Sequence, residues 1–269
     1  MSHPPILSDT EIDTYQKEGI LIPEFRLTDE QLGRLREALD KVIRDNPGTR
    51  PERLVSVHIS KEGRAEDVKG DDAFLEIAQD PQIVDMVSQL IGPDVILWGC
   101  QSFCKPAGDG MEVPWHQDGH YWPIRPLATC SVWIAIDYSD VGNGCLRVIP
   151  RSHRPARLIP HLKEGREDVI LNQKVVDEEL DLDSAMDVEL EAGQMSLHDV
   201  YLLHGSNPNT SDRRRAGLAI RYMPGTSHFD RGMIETGDGI GFTVDFAERP
   251  IWLLKGEDKT GKNNFEIGH

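Results

Sequence analysis

A change of pattern at Gly92-Pro93 constrains this chain more than any other feature. On its N-terminal side the punctuation is helical. Ser8-Asp9-Thr10-Glu11 and Thr28-Asp29-Glu30-Gln31 both have capping-box form, in which a hydroxyl and a side chain three residues on satisfy N–H groups that the first helical turn leaves open. The second box opens an apolar series, Leu32, Leu35, Leu39, Val42 and Ile43, at helical spacing, and Pro47-Gly48 ends it. Asp80 can cap a further helix, Pro81 suits its first position, and Ile83, Val84, Val87, Leu90 and Ile91 form its apolar stripe. On the C-terminal side, short runs rich in β-branched and aromatic residues appear at 95–103, 129–138, 145–149, 195–203 and 217–223. Gly, Pro, Asn and Asp clusters separate them, which predicts a mainly β sandwich or barrel with flanking helices.

The economical division is one domain over 1–269, with a largely helical flank at 1–93 and a β core at 94–225. A charged, irregular insertion at about 154–185 reads as a candidate lid, and 226–269 forms a C-terminal extension whose polar tail is expected to be peripheral. At 38% hydrophobic residues the chain can build a real core, and no apolar run approaches the roughly 20 residues that cross a bilayer. Residues Met1 to Thr10 lack the basic-then-apolar pattern of a signal peptide, so a soluble, cytoplasmic protein is expected. The formal charge of −17 argues against nucleic acid and anionic membranes as partners and leaves a small molecule. Cys100, Cys104, Cys130 and Cys145 show no metal-type spacing and read as buried, reduced thiols.

The chemistry concentrates in Trp115-His116-Gln117-Asp118-Gly119-His120-Tyr121-Trp122. On a strand, His116 and Asp118 share a face because side chains alternate with period two. They would supply half of a set of two histidines and one carboxylate, which holds iron(II) on one side and leaves the other open. His198 and His204 are candidates for the third position. His204 stands at a strand end before a tight turn, and Arg213, Arg214, Arg215 and Arg221 follow it. A guanidinium there would suit a dicarboxylate, since its rigid fork binds carboxylate bidentately.

Three motifs in order then carry a family resemblance. They are His116-x-Asp118, the stretch from Asn143-Gly144-Cys145 through Pro150-x-Ser152-His153, and His204-Gly205-Ser206 with Arg215 eleven residues beyond the histidine. Together, over roughly residues 19–224, the chain resembles the phytanoyl-CoA dioxygenase family. The resemblance implies a double-stranded β-helix, or jelly-roll barrel, with helices outside. It implies iron(II) on His116, Asp118 and His204, and 2-oxoglutarate salt-bridged by Arg215 in a pocket that Gln101 and Trp133 line, with Ser206 and Lys105 nearby. The reaction implied consumes O₂ and releases succinate and CO₂. Because related halogenases lack the carboxylate, Asp118 points to hydroxylation. Arg151 departs from the glycine usual before Ser152-His153.

His120, Tyr121, Trp122 and Arg125 are expected at the rim of the open face, as substrate contacts. His58 reads either as a structural histidine or as a pocket residue, and His153 and Arg154 either meet an anionic group or cap a turn. Family substrates include acyl-CoA thioesters, ectoine and aminophosphonates. A small polar or amine-bearing metabolite such as an aminoalkylphosphonate is the expectation here, since no basic patch for coenzyme A can be located in the sequence. The rival reading is a non-oxidative jelly-roll protein, a zinc hydrolase or binding module, on the same three ligands.

Overall fold

A computed structural model describes residues 6–60, 68–120, 122–235 and 244–269. The helices form where the caps predict them. The first, Asp9–Glu18, and the second, Asp29–Asp45, both close their capping boxes, and the Pro81–Ile91 helix is capped by Asp80. A further short helix, Asp72–Ala78, carries no periodic stripe long enough to have been read from sequence.

The strands form two antiparallel sheets. The larger runs in the order Ile20–Leu21, Met195–Asp199, Cys130–Ala135, Arg215–Pro224, Val95–Lys105, Trp252–Lys255, with Leu54–Val55 also paired to Val95–Lys105. The smaller runs Met186–Val188, Leu146–Val148, His204–Ser206, Val113–His116. The sheets face each other as the two halves of a jelly roll. No ladder among the described residues joins them into a closed barrel.

Alternation sorts the large sheet into two faces. On Arg215–Pro224, Ala216, Leu218, Ile220 and Tyr222 join Val132, Ile134 and Leu197 in a core with Leu35, Leu39, Phe74 and Val87 of the helices. Arg215, Ala219 and Arg221 point the other way, with Trp133 and Ser131, into a cavity between the sheets. This explains a strand buried at every position: one face packs on helices, the other closes a site. A β-bulge interrupts the pairing. Arg221 lies opposite Gly99 but Tyr222 lies opposite Leu97, so Trp98 is the extra residue and turns onto the cavity face.

The segments outside the two sheets' central strands also reach the site. In the C-terminal extension, ahead of its polar tail, Trp252–Lys255 adds a strand to the large sheet, and Phe246 and Arg249 line the cavity. The insertion supplies Ile170 and Leu171 to the same cavity. His153 and Arg154 cap rather than recognise, bonding through Nε2 and Nε to the carbonyls of Gln16 and Lys17 at the end of the first helix. Arg151 keeps the left-handed backbone (φ 70°) that glycine favours, and its guanidinium makes two bonds to Glu18. All four cysteines are free and buried, and no described helix is long and apolar enough to cross a membrane.

Candidate active site

His116 ends the strand Val113–His116, and Asp118 opens a short 3-10 turn, so the pair does not lie on one continuous strand as the sequence suggested. Gln117 sets the break. It is fully buried, its Nε2 donates to the carbonyls of Tyr201 and Arg157, and its Oε1 accepts from the Ile159 N–H. His204 opens the neighbouring strand directly opposite His116. One side chain is thereby fixed by sheet register and the next but one by an anchored turn.

The ligand atoms of His116, Asp118 and His204 lie within 4.8 Å of one another, and all three residues are buried. In each histidine Nδ1 lies 2.9 Å from the carbonyl two residues earlier, Pro114 or Leu202. A carbonyl only accepts, so the proton sits on Nδ1 and Nε2 presents its lone pair. Those Nε2 atoms are 3.5 Å and 3.7 Å from Asp118 Oδ1. Asp118 Oδ2 turns instead to Ser131 Oγ at 3.4 Å and His198 Nε2 at 3.8 Å. Burial works against the Asp118 charge, yet its polar surroundings, the Arg221 guanidinium among them, hold the carboxyl well below its ordinary range. Burial pushes His204 down to about 3, which keeps its imidazole neutral. Two imidazoles and one carboxylate converging at this spacing fit a divalent metal such as iron(II).

Arg215 lines the same cavity, with its guanidinium 5.4 Å from the Trp133 ring centroid. The Trp133 ring lies over Gly217, where even a Cβ would collide with it. Arg215 has no ion-pair partner among the described residues, and its bond to the Phe103 carbonyl is long at 3.4 Å. Burial lowers its pKa to about 10, so it stays charged at neutral pH. Lys105 Nζ donates to Ser206 Oγ at 2.7 Å and to the Asn207 carbonyl. Burial, with Arg215 next in effect, pushes its pKa down to about 6. Gln101 lines the cavity and accepts a 3.0 Å bond from Arg221.

The expected substrate contacts divide. Trp122 lines the cavity, edge-on to Trp98 at 4.7 Å. His120 is exposed and stacked on His161, and the exposed Arg125 bonds to the Trp122 and Ile124 carbonyls; neither lines the cavity. His58 is buried against Trp252 behind the wall that Val55 and Ser56 form. Tyr121 lies outside the described residues. Arg213 and Arg214 pair with Asp140 and Asp137 away from the site. Sequence reasoning did not place Arg53, Trp98, Ser131, Phe246 or Arg249 in the cavity, nor His198 beside Asp118. The even spacing of six residues between Arg215 and Arg221 on one strand, which puts both on one face, was the one signal of a further cavity residue.

The phytanoyl-CoA dioxygenase profile matches residues 15–217. The chain belongs to the phytanoyl-CoA dioxygenase family. It is a non-haem oxygenase dependent on iron(II) and 2-oxoglutarate. Among relatives, the peroxisomal phytanoyl-CoA dioxygenase of Rattus norvegicus is 27% identical over 94% of this chain and 84% of its own length. The ectoine dioxygenase of Bordetella parapertussis is 24% identical over 80% of this chain and 75% of its own. The fold matches the non-haem monooxygenase ThoJ in its apo form with a TM-score of 0.69 and 24% identity, covering 92% of this chain and 84% of that one. Membership removes the zinc hydrolase as a favoured reading.

Proposed function

We propose that His116, Asp118 and His204 hold the iron, and that Arg215 anchors the distal carboxylate of 2-oxoglutarate in a pocket shared with Trp133, Ser206, Lys105 and Gln101. The observation that carries this is a buried, charged arginine with no ion-pair partner among the described residues, in the same cavity as the three-ligand cluster. A buried cation is costly without a counter-charge, and a dicarboxylate supplies one. With O₂, iron(II) and 2-oxoglutarate supply an oxidant able to hydroxylate carbon, leaving succinate and CO₂.

The residues of the chain perform the rest. The Nδ1 bonds to Pro114 and Leu202 hold both imidazoles in the metal-binding tautomer. Ser131 turns Asp118 so that one carboxylate oxygen faces the histidines. Trp98, Trp122, Phe246 and Ile170 wall the chamber with apolar surface and exclude bulk water. With Asp118 filling the third ligand position, hydroxylation of a small organic molecule is the outcome expected. The test is succinate formation under O₂ in the presence of iron(II) and 2-oxoglutarate. It is expected to stop in His116→Ala, and continued turnover with zinc in place of iron would refute the reading.

A further inference from the structure

We infer that the substrate is anionic and that Arg221 binds its carboxylate or phosphonate group; this rests on the oxygenase reading above and names the substrate class of the same site. Arg221 is a built feature of the chamber. Its guanidinium lies against a pair of touching aromatic rings, 5.1 Å from the Trp122 centroid and 5.8 Å from that of Trp98, and its Nη2 donates to Gln101 at 3.0 Å. The bulge that turns Trp98 inward supplies one of those rings. Packed against the Trp98–Trp122 pair on one side and tied to Gln101, the guanidinium is preorganised, so little entropy is lost when a ligand binds to it.

The charge balance of the cavity points to the ligand. Its lining contains Arg53, Arg215, Arg221 and Arg249, and Asp118 is the one carboxylate in it among the described residues. The formal charges of iron(II), the Asp118 carboxylate, the 2-oxoglutarate dianion and Arg215 cancel. Arg221 is then left at 9% exposure with no ion pair among the described residues. Arg53 lies in the same wall, with a 3.3 Å bond to the Val169 carbonyl and no ion pair among the described residues. The Arg249 guanidinium lies beside Gly99, opposite Arg221 in the ladder, with its Nη1 3.6 Å from where a Cβ would stand.

The unused hydrogen-bonding capacity agrees. Trp98 Nε1, Arg53 Nε and Arg221 Nε are buried without an acceptor among the described residues. These are donors, and an ionised oxyanion is an acceptor alone. An amine would find no carboxylate in the described lining except Asp118. The anionic half of an aminoalkylphosphonate therefore has a partner here, and its ammonium half does not. Trp98, Trp122 and Phe246 offer an apolar surface to the body of the molecule.

The experiment is calorimetric titration, without oxygen, of protein saturated with iron(II) and 2-oxoglutarate, so that Arg215 is already engaged. Four probes share one ring and differ in head group: benzylphosphonate, phenylacetate, benzyl alcohol and benzylamine. At least one anion should bind at least about tenfold more tightly than the alcohol and the amine. Arg221→Gln should lose about tenfold or more of that affinity, and Arg221→Lys should recover part of it. The stronger of phosphonate and carboxylate identifies the head group. Equal binding of the alcohol or amine overturns the proposal, as does no anion binding at millimolar concentration or an unchanged Arg221→Gln. Visible absorption of the iron–2-oxoglutarate complex is read on the same samples. Its absence in the wild type counts against the oxygenase reading itself, whereas its loss only in Arg221→Gln would make Arg221 a co-substrate ligand and overturn the proposal.

Discussion

Ser131 Oγ bonds to Asp118 Oδ2 at 3.4 Å, from the strand position directly opposite Arg221. The other carboxylate oxygen thereby faces the two histidines. Ser131 sits on the rigid central part of the large sheet, so sheet register determines how a ligand on a turn presents itself. Outer partners of this kind typically contribute 10–100-fold to metal affinity. Ser131→Ala is therefore expected to weaken iron(II) binding about tenfold, read by competition with a chelator, with 2-oxoglutarate affinity falling only as far as iron occupancy does. Unchanged metal affinity would mean that Asp118 needs no such support.

Arg215 should act on the co-substrate and not on the metal. Removing one partner of a buried, hydrogen-bonded ion pair costs about 2–5 kcal/mol, so Arg215→Ala should raise the 2-oxoglutarate KM roughly a hundredfold. Arg215→Lys should restore only part, because an ammonium lacks the bidentate fork. Steady-state succinate release at varied 2-oxoglutarate separates the two, and equal KM values for wild type and Arg215→Ala would move the anchor elsewhere.

Gly217 supports the same pocket through space. A methyl group there collides with the Trp133 ring, which lies beside the Arg215 guanidinium. Gly217→Ala should raise the 2-oxoglutarate KM by about tenfold while leaving iron(II) affinity unchanged, since small misplacements of positioning groups are costly. A variant with wild-type KM would show that the ring can yield without disturbing Arg215.

His58 predicts an acid sensitivity of folding. Both ring nitrogens are buried without hydrogen-bond partners among the described residues, and burial, aided by the charges of Arg249 and Arg221, lowers its pKa from 6.5 to about 3. The unfolded chain thus binds a proton below pH 6.5 that the folded protein refuses until about pH 3. The stability is fully present above the unfolded value and is lost as pH falls, by up to about 1.4 kcal/mol per unit. In the metal-free protein, urea unfolding at about pH 7 and about pH 5 should show His58→Leu losing roughly 2 kcal/mol less than wild type. Equal losses would contradict the assignment of that sensitivity to His58.

What could be read in the sequence was local. Capping boxes and Pro81 mark three helices because each signal lies within four residues of the turn it stabilises. His116, Asp118, His204 and Arg215 were legible because short motifs fix their places on strands and turns. The rest depends on contacts between distant segments. Trp98 reaches the cavity only through a bulge against Arg221, and Phe246 and Arg249 come from a C-terminal extension whose place depends on its pairing with a distant strand. The run at 195–203 read as one strand, whereas it ends at Asp199 and turns through 200–203 before His204. His198 stays on the first strand, facing the second oxygen of Asp118.

A chelate of 2-oxoglutarate on iron held by His116, Asp118 and His204 and anchored by Arg215 would be visible in anaerobic absorption spectra. Iron(II) and then 2-oxoglutarate are added to metal-free protein, with Arg215→Ala and His116→Ala alongside. The expected result is a charge-transfer band that needs both additions, is weakened in Arg215→Ala at limiting 2-oxoglutarate, and is missing in His116→Ala. A wild-type protein that shows no band, or a band that survives intact in His116→Ala, would contradict it.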